Sequence, residues 1–174
     1  MKSRMKRHET KVTRARTIDS PVGPITLGGD DDVLTQLVMH EQRHAPLDLG
    51  AWPQDPNAFG DVVDQLKAYW EGDLTEFDVD MRLEGTDFQR RVWAGLQQIP
   101  YGDTWSYGQL ADHIGAHNAQ RAVGLANGKN PVAIIVPCHR VIGSGGKLVG
   151  YGGGLDRKGF LLALEGAMKA PRLL

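Results

Sequence analysis

The chain carries a single cysteine, Cys138, among 174 residues. One thiol cannot close an internal disulfide, and it excludes cysteine-rich zinc sites, so the reducing cytoplasm is the expected compartment. Long hydrophobic runs are missing too. The densest apolar stretch, Val132 to Val136, fits a buried strand and is far too short to span a membrane. The basic N-terminus, Met1 to Lys11, has no apolar segment behind it, so no signal peptide is expected. Aromatic residues are scarce at 7%, but the 41% hydrophobic content is enough to fill a core and rules out a disordered or collagen-like chain.

A net charge of −1 conceals a strong asymmetry. Residues 1–16 carry +6, residues 17–85 carry −12, and residues 86–174 carry +5. This suggests two modules after a flexible basic tail at 1–12. The second module suits a polyanion, and the acidic first one should face away from it. The boundaries are placed at 13–84 and 86–170.

Thr17 to Met39 shows short alternating runs punctuated by Ser20-Pro21, Gly23-Pro24 and Gly28-Gly29, the pattern of a β meander. Ala58 to Gly72 predicts a helix, with Phe59, Val62, Val63, Leu66, Tyr69 and Trp70 at helical spacing. Phe77, Val79 and Met81 alternate like a strand. The expected fold class is therefore α+β: a small N-terminal α/β module with an antiparallel sheet, then a mostly helical C-terminal module. In the latter, Thr86 caps a helix from Asp87, and Ser106 caps one ending near Ile114. Asn118 is expected to cap another over Ala119 to Asn127, and Asp156 the last. The two short central helices around Gly115 have the pattern of a helix-turn-helix, which any helical hairpin would share.

Cys138 follows the apolar run and stands beside His139 and Arg140, cationic neighbours of the kind that lower a thiol's pKa. His139 is a candidate base for that thiol. On a regular strand the two side chains would point to opposite faces, so a turn or a bridging water is needed. Glu165, in the largely apolar last helix, is a candidate to orient the histidine, although a solvated helix-end charge would look the same. The glycine-rich stretch after Cys138 matches neither phosphate-loop pattern. His40/His44 and His113/His117 lack a third ligand, so no metal site is expected.

From about residue 14 to 167, and most strongly from Thr86 onward, the chain resembles the O6-alkylguanine-DNA alkyltransferase family, in its bacterial constitutive type. The resemblance rests on Phe88-Gln89-Arg90-Arg91-Val92-Trp93, Ile99-Pro100-Tyr101-Gly102, Arg121-Ala122-Val123-Gly124, Asn130-Pro131, Ile135 to Gly143 through Pro137-Cys138-His139-Arg140, and Tyr151 to Gly154. It implies direct-reversal repair: a single irreversible transfer of the alkyl group from O6-alkylguanine in double-stranded DNA to Cys138, with O4-alkylthymine as a further substrate. It implies that His139, through a water, and Glu165 deprotonate the thiol, and that Asn130 ties the DNA-reading helix to the active-site strand. Tyr107 would help guanine leave and press on a phosphate. Arg121 would enter the base stack, and Ala119, Ala122 and Gly124 would lie along the minor groove. Val141, Tyr151, Gly152 and Gly153 would line the base pocket, while Arg140 would make a structural ion pair. No cofactor is implied. The protein would be a monomer away from membranes, with cooperative binding along DNA left open. A lesion sensor without transfer, a helix-turn-helix regulator and a cysteine hydrolase are the competing readings. A sensor of that kind lacks the acceptor cysteine that is present here.

Overall fold

The computed structural model describes residues 11–168. The basic tail lies almost wholly outside the described residues, as do the last two positions of the expected C-terminal module. Three strands, β1 (Arg14–Ile18), β2 (Ile25–Asp30) and β3 (Val33–Met39), form an antiparallel meander in the order β1-β2-β3. A bulge between Gly28 and Gly29 shifts the β2–β3 register. The free edge of β3 is covered by passing chain rather than by another strand. Leu34 N–H donates to Asp80 O at 2.9 Å, Arg82 N–H to Leu34 O at 3.0 Å, and Leu37 N–H to Pro131 O at 2.9 Å. The segment Phe77 to Met81 is thus not the strand that its alternation predicts. It touches the sheet through one bridge, Leu34 to Met81, and its other backbone groups are not laddered.

Helix α1 runs over Gly60–Trp70, starting two residues later than the apolar spacing suggests because Phe59 adopts φ 55°. Among its described residues the second half holds four α-helices, α2 (Asp87–Leu96), α3 (Tyr107–His113), α4 (Gln120–Gly128) and α5 (Leu155–Leu164), and a two-residue parallel pair of β4 (Trp105–Ser106) and β5 (Val141–Ile142). Thr86 with Gln89, and Ser106 with Gln109, form reciprocal capping boxes that satisfy the first orphan N–H groups of α2 and α3. The other two expected caps differ. Asn118 adopts φ 61° and makes the turn between α3 and α4, leaving Ala119 at the cap position. Asn tolerates the left-handed region that the turn demands, and it cannot do both jobs. At α5 the cap is Gly154, at φ 94°, and Asp156 sits inside the first turn.

One continuous core joins the two halves. Leu34 and Leu37 of β3, Leu66 and Tyr69 of α1, Trp93 and Leu96 of α2, Val123 of α4 and Leu161 of α5 all belong to it. Trp93 Nε1 donates to Ala126 O at 2.9 Å, which locks α2 against α4. Among the described residues no helix is long and apolar enough to cross a membrane.

Candidate active site

The chain from Asn130 to Arg140 builds the site. Val132 to Val136 is buried, as its composition predicts, but it is a knot of turns and not a strand. Ile135 N–H donates back to Ala133 O at 2.9 Å across Ile134, which adopts φ 74°. Cys138 N–H donates to Val136 O at 2.8 Å across Pro137, at φ −83° and ψ 64°. Both are three-residue γ-turns, and the one at Ile134 is the strained form. Asn130 braces this knot from within. Its Nδ2 donates to Val136 O at 2.7 Å, and its Oδ1 accepts from Val132 N–H at 3.0 Å. A short polar side chain thereby satisfies the backbone groups that a strand ladder would otherwise have served.

Cys138, His139 and Arg140 then form a single 3-10 turn. The backbone here is therefore the turn that a cysteine–histidine pair of neighbours needs, and not an extended strand. Cys138, 6% exposed, lies on a cavity of about 150 Å³. His139, with no exposed surface, lies behind it. Its Nε2 is 2.7 Å from Glu165 Oε1. Glu165 also takes Arg140 Nε on Oε2 at 2.8 Å and Arg140 Nη2 on Oε1 at 3.0 Å, a two-pronged ion pair. These contacts hold the Glu165 carboxyl down to about 2 despite its burial. Glu165 is therefore an acceptor only, so the Nε2 of His139 carries the shared proton. Burial lowers the pKa of His139, with Glu165 opposing the shift, and the imidazole is neutral. A neutral imidazole has one N–H, which leaves Nδ1 as a basic lone pair. That Nδ1 is buried and has no hydrogen-bond partner among the described residues.

Burial pushes the Cys138 thiol up. Hydrogen bonding from Asn130, the positive charge of Lys158 and the backbone N–H groups of Cys138 and His139 oppose that shift. Lys158 is fully buried and its Nζ donates to the carbonyls of Val141, Val149 and Gly150. Its pKa is drawn down to about 8 by burial.

The cavity brings together Tyr107, Gly124, Asn130, Cys138, Tyr151, Gly152 and Gly153 from separate parts of the chain. Tyr107 packs beside Gly124 and donates to Val149 O at 3.2 Å. Gly153 is tightly packed: a Cβ there would stand 2.6 Å from Met39 Cε, and the end of that methionine would have to shift. Val141 is not among the lining residues; it is buried in β5. Ala119, Arg121 and Ala122 also stand outside the cavity, at the start of α4, where Arg121 and Ala122 are exposed. One wall comes from Met39 at the end of β3 and from Gln42, Arg43 and His44 in the loop after it; sequence reading assigned none of them to this site, and weighed His44 only as a metal ligand. The backbone N–H of Arg43 donates to Gly152 O at 2.7 Å, joining that loop to the glycine turn. No local pattern marks this wall, because it is made by a contact across more than a hundred positions. Asn127 and Lys158 escaped for a similar reason, each looking like an ordinary helix polar residue.

A lone buried thiol on a small cavity, backed by a neutral histidine and a carboxylate and set beside a short helix pair, defines a protein with a cysteine nucleophile. Residues 13–83 match the family model described as 6-O-methylguanine DNA methyltransferase, ribonuclease-like domain, and residues 87–167 match the DNA binding domain of the same family. A methylated-DNA–protein-cysteine methyltransferase of Mycobacterium tuberculosis is 64% identical over 150 residues, covering 86% of this chain and 90% of the relative. One from Methanosarcina acetivorans is 50% identical over 149 residues, covering 86% and 96%. Among solved structures, M. tuberculosis OGT in complex with DNA superposes with a TM-score of 0.85 at 63% identity, covering 88% of this chain and 93% of that one. The chain belongs to the 6-O-methylguanine DNA methyltransferase family.

Proposed function

We propose that this protein repairs alkylated DNA by direct reversal, moving the alkyl group of O6-alkylguanine onto Cys138. The observation that carries the reading is the Cys138–His139–Glu165 arrangement: a thiol on the cavity, and behind it a neutral imidazole whose Nδ1 is free to take a proton. The thiol proton passes through a bridging water to Nδ1, while Nε2 keeps its bond to Glu165. The thiolate attacks the alkyl carbon in line. A C–S bond forms, the C–O6 bond breaks, and the electron pair leaves with guanine. Tyr107 donates a hydrogen bond to the departing base. The thioether product has no group that water displaces readily, so each molecule turns over once.

A lesion inside a duplex must be turned out of the stack, at a cost of a few kcal/mol. Exposed Arg121 at the start of α4 fills the space left behind, and small Ala119, Ala122 and Gly124 allow close backbone approach. With few polar side chains to read base edges, sequence preference is weak. Arg121→Ala should therefore slow transfer from duplex DNA by roughly tenfold or more, an effect of about 1.4 kcal/mol. Reactivity with the free O6-alkylguanine base should barely change. Equal losses on duplex and free base would remove Arg121 from this role.

The decisive experiment mixes the protein with a duplex containing O6-methylguanine and weighs the intact chain. One added methyl per chain, mapped to Cys138, is expected. Tight lesion binding with no added mass would make the protein a sensor instead.

A further inference from the structure

Glu165 has one more partner, and it comes from the other half of the chain. The hydroxyl of Tyr69, on α1, donates to Glu165 Oε1 at 2.8 Å across 96 positions of sequence. Oε1 is the same oxygen that receives His139 Nε2 at 2.7 Å and Arg140 Nη2 at 3.0 Å. Tyr69 has no exposed surface. Its ring is held against Trp70, Phe77 and Tyr101, with centroids 5.1, 5.3 and 6.5 Å away. Burial beside the carboxylate keeps the phenol protonated, so it is a donor wherever the protein is folded. Arg140 by itself already provides a two-pronged partner for the carboxylate, so the ion pair does not require Tyr69.

We propose that Tyr69 is a positioning residue for the transfer reaction: by sharing Oε1 with His139, its hydroxyl sets how strongly the carboxylate draws on the imidazole. This is a chemical contribution of the N-terminal half to a site whose nucleophile and base lie in the C-terminal half. The inference rests on the relay reading given above.

The sign follows from competition at one oxygen. A carboxylate oxygen spreads its charge over the donors it accepts. Without the phenol, Oε1 interacts more strongly with the imidazole and favours its protonated form. The other groups facing the pair are Arg140 and Lys158, which disfavour imidazolium, with Cys138, Tyr101 and Tyr151 nearby. All of these remain in place. Imidazolium cannot accept the thiol proton, so the acid limb of the transfer rate should move to higher pH.

The test is the pH profile of single-turnover methyl transfer to Cys138 from an O6-methylguanine duplex. It compares the unaltered protein, Tyr69→Phe and His139→Gln, each first shown to unfold cooperatively in urea. Tyr69→Phe keeps the ring and its packing. Its acid limb should rise by roughly half a pH unit or more, with the plateau rate within a few-fold of the unaltered protein. Replacing Tyr69 by 3-fluorotyrosine, a more acidic donor, should move the limb the other way. An unmoved limb, or a uniform fall in rate at every pH, overturns the role of Tyr69. If His139→Gln transfers methyl at the unaltered rate, the relay itself falls, and that outcome is distinct from the failure of Tyr69 alone.

Discussion

Cys138→Ala is expected to abolish methyl transfer completely while leaving binding to a lesion duplex in place. The chain has no second cysteine to accept the group. Of the residues assigned to DNA contact, Arg121, Ala119 and Ala122 stand outside the cavity that Cys138 lines, while Tyr107 and Gly124 share it and are left unchanged by the substitution. The substitution removes one buried atom from a site already open to a cavity, so fold stability should fall by only about 1 kcal/mol. Two measurements check this together: intact mass after incubation with an O6-methylguanine duplex, and the affinity for the same duplex. Any methyl found on the variant protein would defeat the assignment of the acceptor. Loss of duplex affinity along with transfer would mean that the thiol shapes the binding surface as well.

The second large effect is on stability. Arg140 is 7% exposed and all of its polar contacts are internal: Glu165 on both oxygens, and Ile99 O from Nη1 at 2.7 Å. Its guanidinium also lies 5.7 Å from the centre of the Tyr101 ring. Arg140→Ala leaves a buried carboxylate with two donors and no compensating charge. Breaking such a pair from one side costs about 3–5 kcal/mol, and urea unfolding at neutral pH should show a loss of that size. The deficit should also depend on pH. In the unaltered protein Glu165 is held at about 2 against an ordinary 4.5. A depressed carboxylate contributes stability that is complete above the ordinary value and is lost as pH falls towards about 2. In the variant the carboxyl is released upward and protonates earlier, which relieves the unpaired charge. The gap between the two proteins should therefore narrow in acid. A loss below 1 kcal/mol, or one that does not vary with pH, would show that Glu165 is not held by Arg140 in the way the contacts indicate.

Local features were readable where their cause was local. Thr86 and Ser106 announce helix starts because a capping box is written within four consecutive residues. Phe88, Val92, Trp93 and Leu96 mark a helix face because periodicity requires nothing from elsewhere in the chain. The reading failed where one residue type serves two purposes. Val132 to Val136 is apolar because it is buried, and composition does not distinguish a buried strand from a buried knot of γ-turns. The deciding feature is Asn130, whose amide supplies hydrogen bonds that a neighbouring strand would otherwise have supplied. Asn118 likewise reads as a cap, but the turn claims it first.

The sequence by itself determined the reagents: one thiol, a histidine beside it, an arginine next in line, a glutamate at the end of the last helix, and a pair of short helices with an arginine at the start of the second. Tertiary structure alone decided which atoms meet. A 3-10 turn, and not a strand, carries adjacent Cys138 and His139, and packing brings Glu165 to His139 across 26 positions and Tyr69 to Glu165 across 96. The loop after β3 becomes a wall of the cavity for the same reason. Spacing along the chain carries information over a turn or two of helix. Beyond that, contacts are set by how the apolar faces of distant elements close on one core, and the polar atoms carried on those elements meet only when the core has closed.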